Sequence, residues 1–116
     1  MDMQTQVVPD EAIPTLIAEI IRSEAIDAGV TVEKIVLFGS RARGDADAQS
    51  DWDVLVVLRN PISHRERIAL STRLNRALAR RLIPCDLLIR SCQEVQKQAH
   101  QIGSIIRTAL AEGVSL

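Results

Sequence analysis

Two spacings of apolar residues divide this chain into elements. Between Asp10 and Ala28, Ile13, Leu16, Ile17, Ile20 and Ile21 recur three or four residues apart, the spacing of a helix with one buried face. Gly29 suits its end, and its start falls anywhere from Asp10 to Pro14, because proline is at ease only in a helix's first turn. Thr31 to Phe38 and Trp52 to Leu58 close on or consist of unbroken apolar runs too short for helices, and they predict strands. Ser40 to Ala48 between them reads as a loop or short helix. Arg59-Asn60-Pro61 breaks the chain. Ile62 to Leu82 is helical again, with Leu70, Leu74, Ala77 and Leu78 on one side and Arg65, Arg73, Arg76 and Arg80 on another, a solvated face. Pro84 opens a third strand, Cys85 to Ile89, since proline is tolerated at a strand's first position. Ser91 and Glu94 form a capping-box pattern for a last helix, whose buried face is Val95, Ala99, Ile102, Ile106 and Leu110 and whose end is near Gly113.

The predicted order is α-β-α-β-α-β-α, an α/β (α+β) domain with a mixed sheet of three strands or slightly more, flanked by helices and occupying residues 1–116 as one unit. If the Gly39 end of the first strand faces the Asp51 start of the second, those strands run antiparallel. The long helix before the third strand allows a parallel crossover. Asp86 then lies at the same sheet edge as Asp51 and Asp53.

That placement carries the candidate chemistry. Asp51 and Asp53 share one strand face and Trp52 the other, so two carboxylates stand together and repel unless a cation lies between them. Mg²⁺ suits such oxygen ligands and accepts phosphate and water in its remaining positions. Gly39 removes a side chain where a phosphate would come close, and Ser40 offers hydroxyl and backbone donors. Arg41 and Arg43 could add charge-assisted bonds to the phosphates or lie on the surface. Asp45 and Asp47 read as a solvated turn, and Trp52 and Phe38 as core.

The remaining composition narrows the function further. A formal net charge of −1 argues against a protein that grips long nucleic acid. The cations are twelve Arg against Lys34 and Lys97 alone, a bias toward planar forks that suit phosphate or carboxylate. Cys85 and Cys92 lack zinc spacing, and His64 and His100 have no metal-binding context. The N-terminal residues lack the pattern of a signal peptide and no run is long enough to span a membrane, so the expectation is a cytoplasmic protein without a membrane partner.

Phe38-Gly39-Ser40, ten residues, Asp51-Trp52-Asp53, and later Cys85-Asp86-Leu87 together resemble the nucleotidyltransferase superfamily named after DNA polymerase β, and more closely its minimal nucleotidyltransferases, which are often encoded beside HEPN-domain ribonucleases. The likeness covers residues 35–89, with flanking helices of fitting length. It implies a Mg²⁺-dependent transferase, with two ions, that uses ATP. Asp51, Asp53 and Asp86 would be the catalytic and metal-holding acids, and Gly39, Ser40, Arg41 and Arg43 would bind the nucleotide's phosphates. It further implies an antitoxin that adds AMP to a tyrosine hydroxyl of a HEPN-domain toxin. Two alternatives stay open: a small-molecule transferase whose acceptor site is completed by a second copy of the chain, and an antitoxin that neutralises its partner by binding alone.

Overall fold

All three strand-like runs form strands of one sheet, joined by a short fourth that the apolar pattern does not announce. The computed structural model describes residues 9–116. After a single 3₁₀ turn at Asp10–Ala12, helix α1 runs Ile13–Asp27, strand β1 Val32–Phe38, helix α2 Ser40–Arg43 and strand β2 Trp52–Leu58. Helix α3 (His64–Arg80), strand β3 (Cys85–Ser91), helices α4 (Cys92–Gln98) and α5 (Ile105–Glu112) and strand β4 (Val114–Ser115) complete the order. Pro14 sits in the first turn of α1, where its missing N–H leaves no bond unmade. Ser63 caps α3 by accepting from the Glu66 amide, while the Glu66 carboxylate accepts from the Ser63 amide.

The sheet order is β3-β2-β1-β4. β1 pairs antiparallel with β2, Phe38 opposite Asp53, and β2 pairs parallel with β3, Asp53 opposite Asp86. Helices cover both faces, which is why β1 and β2 end in continuous apolar runs rather than alternating ones. Ile35, Leu37, Trp52, Val54, Val56 and Leu58 pack with Ile17, Ile21, Leu70, Leu74 and Leu78 of α1 and α3. Val36, Phe38, Leu55 and Val57 pack on the other face with Ile106 and Ala109 of α5. Leu55 and Leu74 are fully buried, and truncating either to alanine is expected to cost about 2–5 kcal/mol. Arg73 leaves the solvated arginine face of α3 to clamp α1, bonding Glu24 at 2.8 Å and lying 3.8 Å from Asp27. No helix among the described residues is long and apolar enough to cross a membrane.

The last helix departs from expectation. The apolar spacing runs unbroken from Val95 to Leu110, yet the chain stops α4 at Gln98 and restarts α5 at Ile105. Gly103 turns it with φ +81° and the Ser104 hydroxyl then accepts from the Ile106 amide as a new cap. Ile102, expected on the buried face, is 91% exposed. Gly113 is extended (φ −80°, ψ 164°) and leads into β4 rather than capping the helix in a left-handed turn.

Candidate active site

Gly39 and Asp53 interlock at the end of the sheet. The chain leaves β1 at Gly39 with φ 74° and ψ −159°, a region that is essentially glycine-only. A Cβ there would collide with the Asp53 carboxylate. The Gly39 carbonyl accepts the Ala42 and Arg43 amides, which starts α2 at Ser40 immediately after the strand. Gly44, in the left-handed region at φ 82°, ends that turn. The return to β2 is held by Asp47, whose carboxylate accepts from the Gln49 amide at 2.8 Å and the Ser50 hydroxyl at 3.3 Å.

The strand alternation sends Trp52 into the core against α1 and α3, leaving Asp53 on the opposite face. Asp86 follows Asp53 in register on the neighbouring strand, and Asp51 immediately precedes β2. Asp51 and Asp86 are exposed and Asp53 is half-buried. The Asp53 carboxyl is held above its ordinary range, first by burial and then by the negative charges of Asp86 and Asp51, with Arg43 acting in the opposite direction. Cys85 is pushed up to about 12 by burial and by the same Asp51 and Asp53 charges, so its thiol stays protonated and inert.

The two arginines are placed differently. Arg41 turns away from the acids: its guanidinium lies over the Trp52 ring, 4.4 Å from the centroid, and donates to the Ser50 carbonyl at 2.9 and 3.3 Å. A longer contact to Asp10 at 3.5 Å ties the 3₁₀ turn before α1 to the same group. In this position it braces the 44–50 loop. Arg43 stays at the mouth, bonded to Asp45 and to Glu112, each at 3.1 Å. Glu112 was not foreseen in the sequence, where it is one acid near the end of a helix; its Oε1 also accepts from the Gly39 amide at 3.3 Å.

These residues suit a hard divalent cation in part. Among the described residues no three Asp, Glu, His or Cys side chains gather closely enough to enclose an ion by themselves. Asp53 and its acidic neighbours nevertheless supply oxygen donors whose mutual repulsion a cation would relieve. Mg²⁺ commonly takes one or two protein carboxylates and fills its remaining positions with phosphate and water. The donor set fits an ion that arrives with its substrate better than one permanently caged.

The chain matches the family model described as Polymerase beta, Nucleotidyltransferase over residues 11–109. It belongs to that nucleotidyltransferase family. Among solved structures, a proposed nucleotidyltransferase from Sulfolobus solfataricus aligns at 21% identity and TM-score 0.58, over 97% of this chain and 90% of that one. A protein described as a minimal nucleotidyltransferase aligns at 19% identity and TM-score 0.60, over 97% of this chain and all of the other. A toxin–antitoxin structure with AMP-PNP aligns at 21% identity and TM-score 0.56, over 84% of this chain and 69% of that one. At such identities the likenesses show the fold, that of the polymerase β-like nucleotidyltransferases. A search of curated proteins returned no significant match.

Proposed function

We propose that this nucleotidyltransferase moves AMP from ATP to a hydroxyl, and that the acceptor is a tyrosine of a HEPN-domain toxin partner which the transfer silences. The observation that carries the reading is the register: Asp86 lies opposite Asp53 across a parallel pair, and Asp53 abuts a glycine that admits no side chain. Asp51 and Asp53 would hold Mg²⁺, with Asp86 as a third oxygen ligand or as the group that takes the acceptor's proton. Bound there, two such ions would lower the pKa of the acceptor hydroxyl and neutralise charge on the departing pyrophosphate. Gly39 lets the phosphates approach, Ser40 offers its hydroxyl and amide, and Arg43 presents a cation at the mouth. The acceptor oxygen attacks the α-phosphorus, its proton passes to Asp86 or to solvent, and the bond to pyrophosphate breaks.

Among the described residues nothing on this face offers a wall for the acceptor, since Asp51 and Asp86 are open to solvent. A protein partner supplies that wall economically, and proximity then provides most of the rate. The fold shared with a toxin–antitoxin structure holding AMP-PNP supports a toxin as that partner.

The test is the intact mass of the protein encoded beside this chain after incubation with both proteins, ATP and Mg²⁺. The expected result is a gain of one or more AMP units and loss of the partner's ribonuclease activity. Asp51→Asn with Asp53→Asn should lower transfer by at least about a hundredfold. Asp86→Asn should lower turnover far more than Mg-ATP affinity if its role is toward the acceptor. Full inhibition by the double variant without an adduct would establish neutralisation by contact instead. A nucleotidylated small molecule in cell extract, with the partner untouched, would point to an acceptor site completed by a second copy.

A further inference from the structure

Glu112 sits where an anion is wanted. Its Oε1 accepts from the Gly39 amide at 3.3 Å and from the Arg43 guanidinium at 3.1 Å. Strand register brings it there. β4 pairs with β1 through Val36–Ser115 and Leu37–Val114, and continuing that antiparallel register by two residues sets Glu112 opposite Gly39. Gly113 makes the approach possible, because a Cβ at that position would collide with the Ala109 carbonyl and the Val36 side chain. Glu112 adds an acid to an end of the sheet that already carries Asp51, Asp53 and Asp86. What it gains is an amide donor and a guanidinium, the donor pair that a phosphate oxygen would seek.

Building on the proposed nucleotide site, we infer that Glu112 is a resident anion of the phosphate cradle, which the triphosphate must displace. Displacement needs only side-chain rotation, since the carboxylate is on a flexible side chain that is 31% exposed. α5 can remain packed through Ile106 and Ala109 while the carboxylate swings out. The Gly39 amide cannot serve Glu112 and a phosphate at once. Apparent nucleotide affinity is therefore reduced by the fraction of molecules in which Glu112 is docked, and binding releases that carboxylate into the mouth of the site.

Calorimetric titration of inorganic triphosphate and of Mg-ATP into wild type, Glu112→Ala, Glu112→Gln and Glu33→Gln tests this. Glu33 pairs with Arg59 and lies at the opposite end of β1, so its variant controls for net charge alone. Glu112→Ala should bind both probes about fivefold more tightly than wild type, the scale of one partly exposed ion pair, with Glu112→Gln in between. Thermal melting confirms that each variant folds. Equal or weaker binding by Glu112→Ala, an equal gain in Glu33→Gln, or no binding of either probe to Glu112→Ala overturns the inference. Tighter triphosphate binding without Mg²⁺-dependent ATP binding in any variant would leave the displaced anion standing and remove the transferase reading instead.

Discussion

The two ends of β3 treat acidic side chains in opposite ways. At its C-terminal end, Glu94 accepts from Arg67 at 2.8 Å and from the Ser91 amide at 2.9 Å, while Arg67 also donates to the Ile89 carbonyl at 2.8 Å. Burial alone would raise the Glu94 carboxyl, but those donors outweigh it and leave it below the usual carboxylate range. At the N-terminal end Asp86 faces Asp53, and Asp53 is raised. One acid is enclosed by donors that stabilise the fold. The others are set against one another, an arrangement that favours folding only when something positive arrives. A single strand thus separates a structural carboxylate from candidate functional ones, and the opposite shifts of Glu94 and Asp53 mark the difference.

The largest effect that should sharpen this contrast is at Gly39. Gly39→Ala must both hold a glycine-only conformation and push against Asp53, so a loss of about 2–3 kcal/mol is expected in urea denaturation. Gly44→Ala has a comparable positive φ with nothing among the described residues near its Cβ, and should lose only about 1 kcal/mol. Similar losses at both positions would mean that the carboxylate contact contributes nothing. Next comes Glu94→Ala, which removes an ion pair and a cap together and should cost about 1–2 kcal/mol. Because the folded Glu94 pKa is depressed, its contribution is complete above the ordinary glutamate range. It is lost as pH falls through the folded value, so wild type and variant should converge in acid. The smallest effect has the opposite sign: Asp53→Asn should stabilise the metal-free protein by roughly 0.5 kcal/mol at neutral pH. The folded Asp53 pKa is raised, so its penalty is present above that value and disappears as pH falls toward the ordinary aspartate range. Added Mg²⁺ should raise the melting temperature of wild type more than that of the variant; an equal rise in both would show that Asp53 meets no ion.

How much of this was legible follows from the range of each signal. β1, β2, β3, α1 and α3 announce themselves because an apolar face repeats over many residues, and the placement of Asp86 at the sheet edge of Asp51 and Asp53 follows from their order, though not its register opposite Asp53. The α4–α5 break escaped because apolar spacing from Val95 to Leu110 survives a turn that local chemistry enforces. Gly103 followed by Ser104 was the available sign, a stop residue before a cap. β4 escaped because two residues carry no periodicity, and with it went Glu112, whose position depends on a register between distant segments. Arg41 and Arg43 look equivalent in sequence. The structure separates them because one follows the Trp52 face and the other the acidic face.

Trp52 and Arg41 have a consequence for encounter. Together with α1 and α3 they cover one face of the sheet end, and Asp53 lies on the opposite face. An arriving cation is drawn toward Asp51, Asp53 and Asp86, while Arg43 beside them is already paired with Asp45 and Glu112. Such fields act over roughly 10 Å at 0.1 M salt. A polyphosphate that carries a counter-ion is therefore drawn in cation first.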